Sequence, residues 1–284
     1  MTSDLRAAAR FIAPRQLRPE THIATMGEGE QTIVNDLQEF DIKLFIEREE
    51  NEVVAVMGYE HDDPLQRGFL YGPWAIDQRW DELADELFDQ VLAERAVSDR
   101  DIDLAFNIRN ERAQRFSDRH GFALVRDHFF MAYPREGATV GPDDAIRPMV
   151  DDERDAVMAL HERCFPGQWP SAQQLLEELD KRPDRTIFVL HEGGRIAGYH
   201  YARVDRSTGE AWVENIGVDD AFRGRGFATR LLSHGLWWMF SYEEVTGIEL
   251  SVRAENVEAL RVYEKAGFRK RHSLRQTRKT LTES

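Results

Sequence analysis

The residues best suited to chemistry in this 284-residue chain lie between Trp212 and Ala228: Trp-Val-Glu-Asn-Ile-Gly-Val-Asp-Asp-Ala-Phe-Arg-Gly-Arg-Gly-Phe-Ala. Residues 213–218 suit an extended segment, Asp219-Asp220 break it, and the loop Arg223-Gly224-Arg225-Gly226 opens a helix. Strand, glycine loop and helix in that order make a cradle for an anion. Glycine admits close approach of the backbone, the unpaired N–H groups of Arg225 to Phe227 are expected to point into the loop at the helix N-terminus, and the helix dipole favours negative charge. Arg223 and Arg225 flank the loop and can add charge-assisted bonds to diphosphate oxygens. Arg230, one turn on, either does the same or is surface.

Two nucleotide motifs fail here. Gly224-Arg225-Gly226-Phe227-Ala228-Thr229 puts Thr where the dinucleotide fingerprint requires Gly or Ala, and the chain has no P-loop Gly-Lys-Ser/Thr. The pattern that fits is Arg-x-x-Gly-x-Ala after a strand, at Arg223, Gly226 and Ala228. A second segment follows at the right distance: Ile248, Leu250 and Val252 alternate as a strand, then Asn256-x-x-Ala259-x-x-x-Tyr263-x-x-x-Gly267-Phe268 reads as a helix with Asn256 as N-cap and Gly267 just past its end. Together these two segments resemble the acyl-CoA-binding motifs of the GNAT superfamily of N-acetyltransferases.

The resemblance implies acetyl-CoA as co-substrate and acetyl transfer to a primary amine, and it assigns roles. The backbone N–H groups near Ile216, Gly217 and Val218 would polarise the thioester carbonyl, while the carbonyls of the same strand pair with the pantetheine arm. Tyr263 would be the general acid for the departing thiolate; otherwise it is a core tyrosine. An alkylamine with a pKa of about 10 is mostly protonated at neutral pH, so a base is needed. Glu214, placed by alternation with Ile216 and Val218, is the candidate base; the alternative is an ion-paired carboxylate on the sheet. Glu249 is its weaker rival. Asn256 contacts the cofactor, caps its helix, or does both.

The elements that position these residues recur. Ahead of them, strands are expected at 186–191 and 196–204 and helices at 151–165 and 171–179. A first set of strands falls at 42–46, 53–59, 69–76, 102–106 and 129–133, with helices at 80–95 and 111–119. Residues 4–11 and 32–40 could form two more helices. The sets superpose with a drifting offset. Asp77 falls on Asp219 at 142, Leu87 on Leu231 at 144, and Asn110, Ala113, Gly121 and Phe122 on Asn256, Ala259, Gly267 and Phe268 at 146. The expectation is an α/β (α+β) protein of two tandem GNAT domains, 1–138 and 143–284, each a mixed, mostly antiparallel sheet flanked by helices. A Pro/Gly-containing linker at 134–142 separates them.

The copies differ in chemistry. Gly224, Arg225 and Gly226 correspond to Trp80, Asp81 and Glu82, and Tyr263 corresponds to Ser117. Residues 1–140 hold 16 basic and 28 acidic side chains, net −12, against 21 and 24, net −3, in 141–284. The first half therefore reads as a degenerate copy that does not bind acetyl-CoA. An overall charge of −15 argues against binding a nucleic-acid backbone.

The apolar segments are too short for a membrane span and the first residues lack a signal-peptide core, so a cytoplasmic protein is expected. Cys164, the one cysteine, excludes a disulfide within the chain and reads as a small buried hydrophobe. The nine histidines show no ligand spacing, so no metal is expected. Trp237, Trp238 and Phe240 fall off the helix's apolar stripe as an interface candidate. The basic run 269–279 is expected at a sheet edge. Two narrower resemblances compete for the acceptor: the second motif is similar to that of ribosomal-protein N-terminal alanine acetyltransferases, and the two-domain layout to mycothiol synthase. Layout favours a small-molecule amine over a protein N-terminus. A non-catalytic acyl-CoA-binding regulatory module is the alternative of another class.

Overall fold

A computed structural model describes residues 2–23, 26–136, 138, 140–166 and 171–281. Of the expected linker, positions 137 and 139 lie outside the described residues. The chain forms two compact units, 1–129 with 272–284, and 130–271.

Unit 1 begins with helices α1 (Thr2–Gln16) and α2 (Glu30–Glu39). Strands β1 (Lys43–Glu49), β2 (Glu52–Asp62) and β3 (Arg67–Ala75) follow, then α3 (Trp80–Glu94), β4 (Asp101–Asn107), α4 (Glu111–Arg119) and β5 (Ala123–Pro134). Unit 2 contains β6 (Ile146–Pro148), α5 (Arg154–Cys164), α6 (Ala172–Lys181), β7 (Arg185–Glu192), β8 (Arg195–Asp205), β9 (Glu210–Val218), α7 (Phe227–Met239), β10 (Gly247–Arg253) and α8 (Val257–Ala266). The last strand, β11 (Arg269–Thr280), is divided: its first three residues belong to unit 2 and the rest to unit 1. β5 is divided likewise at Phe129/Phe130.

Strand order in unit 1 is β1-β2-β3-β4-β11-β5, and in unit 2 β5-β10-β9-β8-β7-β6. β3–β4 and β9–β10 pair parallel; β1–β2, β2–β3, β4–β11, β6–β7, β7–β8 and β8–β9 pair antiparallel. The expected edge position of the basic C-terminal run is not what the fold has: β11 pairs β4 from Leu274↔Asn107 to Thr280↔Asp101 and has β5 on its other side. Arg269, Lys270 and Arg271 are exposed, while charges further along are matched. Arg278 bonds Asp103 at 2.5 and 2.8 Å, and Arg275 bonds Asp127 at 3.1 and 3.3 Å.

Local signals explain the elements around the motifs. Asn110 and Asn256 each accept from the backbone N–H three residues on, Ala113 at 3.0 Å and Ala259 at 3.1 Å, a cap worth about 1 kcal/mol. Gly267 ends α8 at φ +111°, where a side chain would be strained. The apolar stripe of α7 buries Leu231, Leu232, Leu236 and Met239 against its own sheet. Its neighbours are partly used too: Trp238 meets Phe188 edge-on at 5.6 Å, and Phe240 packs on Tyr133 with the Arg135 guanidinium over its ring. Only Trp237 of the three aromatics is exposed, at 39%. The other two are partly buried and make these contacts within unit 2.

Candidate active site

The site of unit 2 starts where two strands part. The parallel pairing of β9 with β10 runs from Gly247↔Glu210 to Glu249↔Trp212 and goes no further, though the strands continue to Val218 and Arg253. The C-terminal stretch of β9, with Ile216, Gly217 and Val218, is thus paired to β8 on one edge and released from β10 on the other. Beyond it a short turn of 3-10 helix, Asp220–Phe222, leads into Arg223–Gly226 and α7. Gly224 and Gly226 have φ of +74° and +78°, and a Cβ built on either meets no atom within 4 Å. The loop is therefore left-handed and faces open space, which fits an anion set against the helix N-terminus at Phe227 and Ala228.

Charge around the loop is positive and only partly matched. Arg223 pairs Asp220 at 2.8 Å and its Nε donates to the Val218 carbonyl at 3.3 Å; its side chain is 55% exposed. Arg225 lies 3.9 Å from Glu192 and over the Phe222 ring. Arg230, weighed as a third diphosphate ligand, is engaged elsewhere: it grips Asp143 through Nε and Nη2 at 2.6 and 2.9 Å. That pair holds the Asp143 carboxyl below its usual range. Cys164 is half-buried, with Sγ 3.7 Å from the Val218 carbonyl; burial pushes its thiol up, and nearby Arg223 offsets part of that.

A β-bulge changes the reading of Glu214. β9 pairs β8 at Asn215↔Tyr201 and then at Val213↔Ala202, so Glu214 is the extra residue and simple alternation fails there. Ile216 stays with its cross-strand partner His200 on the α7 side, where His200 donates from Nδ1 to the Leu231 carbonyl at 3.0 Å. Glu214 instead accepts from Arg203 Nε at 2.8 Å, and the Arg203 guanidinium lies over the Trp212 ring. Its charge also bears on Tyr201, whose phenol bonds Glu178 of α6 at 3.0 Å and Arg185 at 2.9 Å. Glu214 is thus ion-paired, the second of the two alternatives, and it sits in a polar group on the helix α6 side of the sheet. Two buried atoms beside it, Asn215 Oδ1 and Trp212 Nε1, have no hydrogen-bond partner among the described residues. Glu249, the rival base, pairs Arg271.

Tyr263, on α8, packs edge-on against Phe268 at 5.7 Å, and its phenol makes no hydrogen bond among the described residues. Burial pushes its pKa up to about 12, which keeps the proton on the oxygen at neutral pH. Asn256, at the start of α8, is exposed and its side chain is used as the cap. The structure draws the loop, the released edge of β9 and the Glu214 group into one unit. It does not join Glu214 to Tyr263 by any bond. The sequence did not point to Arg203, Trp212 or Asn215, because the bulge that gathers them leaves no mark in the residue pattern.

Unit 1 repeats the plan with different contents. β3 and β4 pair from Arg67↔Asp101 to Leu70↔Leu104 and then part, as β9 and β10 do. The chain itself enters this gap: Ile23 bridges Phe106, the His22 carbonyl accepts from Asn107 N at 3.1 Å, and buried Gln16 bonds Ile23 N, Ile23 O and Trp74 Nε1. Beside it lies a small cavity of about 10 Å³ lined by Arg15, Trp74, Trp80 and Asn110 among others. Trp80, Asp81 and Glu82 form the first turn of α3 where unit 2 has its glycine loop. Asp81 pairs Arg119, Glu82 pairs Arg79, and Ser117 is buried with its hydroxyl on Thr277 at 3.1 Å.

Residues 154–268, which hold the whole released strand, loop and second motif, match the Acetyltransferase (GNAT) family, and the fold is that of two tandem GNAT domains. Along its full length it is similar in fold to a GCN5-related N-acetyltransferase from Sphaerobacter thermophilus, with a TM-score of 0.74 at 20% identity, covering 99% of this chain and 93% of that one. It is also similar to a tandem GNAT protein from the clavulanic acid biosynthesis pathway, with a TM-score of 0.69 at 14% identity and 99% and 97% coverage.

More particular similarity is to mycothiol acetyltransferases. That of Clavibacter sepedonicus is 31% identical over 134 residues, 44% of this chain and 42% of the relative. That of Acidothermus cellulolyticus is 29% identical over 187 residues, 55% of each. The chain thus spans about half the length of these curated relatives. Among the described residues no helix is long and apolar enough to cross a membrane.

Proposed function

We propose that unit 2 transfers an acetyl group from acetyl-CoA to a primary amine of a small molecule, and that unit 1 takes no part in binding the thioester. The observation that carries this reading is the parting of β9 from β10 directly before a left-handed glycine loop whose inner face is open. An extended acyl-pantetheine arm fits along a released strand edge, and its diphosphate fits the helix N-terminus. Arg223 and Arg225 supply the neighbouring positive charge.

When bound, acetyl-CoA supplies an activated thioester carbonyl. The chain's own groups then have separable tasks. Backbone N–H groups at Ile216 to Val218 hold the carbonyl oxygen as it gains charge. Glu214 takes the proton of the attacking amine, as the C–N bond forms, and Arg203 keeps its carboxylate in place. Asn215 Oδ1, an unsatisfied acceptor beside it, is placed to take a second N–H of the acceptor. Tyr263 gives its proton to sulfur as the C–S bond breaks.

A small acceptor is favoured by the relatives named as mycothiol acetyltransferases, which are named for a small-molecule product. The test is a panel of amines assayed for free CoA release: polyamines, aminoglycosides, amino-acid amides, cysteinyl conjugates and N-terminal peptides. A small-molecule amine should give the highest kcat/KM. Preference for peptide N-termini would assign the N-terminal acetyltransferase activity instead. Tight acetyl-CoA binding with no amine-dependent release would make the protein a non-catalytic acyl-CoA-binding module.

A further inference from the structure

We propose that unit 1 holds a divalent metal ion of the zinc class between His22, Glu28 and His272. The three belong to unit 1, and none is part of the acetyl-transfer site. Their ligand atoms all lie within 4.8 Å of one another. Nε2 of His272 is 3.0 Å from Glu28 Oε1, and the two imidazoles lie nearly parallel, with centroids 4.5 Å apart and 24° between planes.

These lengths suit a tetrahedral ion. Zinc bound to imidazole nitrogen and carboxylate oxygen at about 2.0–2.2 Å sets neighbouring donors roughly 3.3–3.5 Å apart. The His272–Glu28 edge is already close to that, and the third donor closes by rotation of a side chain. The set offers two imidazoles and one carboxylate with no thiolate, a combination that suits zinc, cobalt(II) or nickel(II) over copper(I), and it leaves a fourth position for water.

Burial supports the same reading. His22 is 2% exposed, and the His272 and Glu28 side chains are 9% and 18% exposed. The segments that carry the histidines are fixed by their backbones. The His22 carbonyl takes hydrogen bonds from Asn107 N and Asn110 Nδ2, Ile23 bridges β4, and His272 lies in β11 next to the stretch of that strand paired with β4. Such preorganisation limits the ordering that an ion would have to impose.

Binding has one local consequence. In the hydrogen-bonded arrangement Asn107 Nδ2 faces His272 Nδ1 at 3.3 Å, so Nε2 carries the hydrogen that points at Glu28. An ion at Nε2 takes the place of that hydrogen. The ring then carries its hydrogen on Nδ1, and the Asn107 amide turns to present Oδ1 to it, giving up the bond Oδ1 accepts from Arg109 N. Residues 22 and 272 would be tied across the whole unit, with the loop before α2 closed onto β11.

The experiment uses the full chain without an affinity tag, stripped with a chelator and dialysed. Zinc is titrated by calorimetry and by melting temperature, and cobalt(II) is titrated by visible absorption. The expected result is one equivalent per chain, a higher melting temperature, and a cobalt spectrum of four-coordinate type. His272→Gln and His22→Gln should each weaken binding by at least the roughly 10–100-fold that follows from disturbing a ligand's outer partner. Glu28→Gln, more exposed and less apt to disturb folding, should do the same, with acetyl-CoA binding by unit 2 unchanged as a control for the fold. The proposal is overturned if stripped protein binds no zinc at micromolar concentration. It is equally overturned if Glu28→Gln binds zinc as wild type does, because the ion then sits on other histidines.

Discussion

The gap between β3 and β4 in unit 1 and the gap between β9 and β10 in unit 2 are made the same way and filled differently. In both, a parallel pair separates after three or four residues of register. Unit 1 closes its gap with its own residues 22–23, bracketed by Gln16, and begins its helix three residues early at Trp80. Unit 2 leaves its strand edge released and its glycine loop open. One scaffold thus accommodates two different fillings: residues 22–23 and an early helix start in unit 1, a released edge and a glycine loop in unit 2.

The comparison can be broken most severely at the loop. Gly226→Glu or Gly224→Glu places a carboxylate on a left-handed residue facing the space assigned to the diphosphate, and acetyl-CoA binding should disappear in calorimetry while the circular dichroism stays native. Unchanged affinity in a folded variant would remove the cradle assignment. The mirror experiment removes the like charge from unit 1, through Asp81→Ala with Glu82→Ala. No second binding event should appear, because Ile23 still occupies the gap; a second event would mean that charge alone had silenced unit 1.

Next in size is the phenol. Tyr263→Phe should lower kcat about 10²-fold with little change in the KM for acetyl-CoA, the scale of a lost general acid. A kcat near wild type, with chemistry shown to limit turnover, would leave Tyr263 a packing residue like Ser117 in unit 1. Glu214→Gln should cost most at low pH, where few acceptor amines are already neutral, and less as pH rises toward the amine's own pKa. A loss equal at every pH would point to positioning of the acceptor and not to proton transfer.

A smaller effect separates the units by stability. In unit 1, burial raises the Glu60 carboxyl to about 7, against the Tyr71 hydroxyl at 2.6 Å. A raised carboxyl stabilises fully below its unfolded value near 4.5, and that contribution is lost as pH rises through about 7. In unit 2, burial lowers His200 to about 4. Its contribution is present above the unfolded value of 6.5 and is lost as pH falls through about 4. Each amounts to roughly 3 kcal/mol at most. Chemical denaturation at pH 5 and pH 8 should therefore show the Glu60 contribution falling and the His200 contribution rising as pH increases. Glu60→Gln should flatten the dependence on the alkaline side; an unchanged profile would show that Glu60 is ionised in the folded protein.

The motifs were legible because their signals are local. The stripe from Ala228 to Met239, the cap at Asn256 and the turn at Gly267 depend on neighbours within a few residues, and α7 and α8 form where they predict. What stayed hidden depends on pairing between distant segments. The bulge that moves Glu214 to the Tyr201 side arises from the β8–β9 register, which alternation along β9 alone cannot show. The basic run at 269–279 reads as an edge because its acidic partners, Asp103 and Asp127, lie more than 140 positions earlier. His22, Glu28 and His272 come together only through the fold, so no histidine spacing could announce them. In the first forty residues the pattern allows two helices, yet the part they play in filling the unit 1 gap rests on Gln16 and Ile23, which carry no motif.

One unit is expected to bind the thioester and the other is not, and the stoichiometry of acetyl-CoA binding to the intact chain by calorimetry tests this most directly. One equivalent, abolished by Gly226→Glu, is the predicted result. Two equivalents, or one that survives Gly226→Glu, would contradict it and place a working site in unit 1.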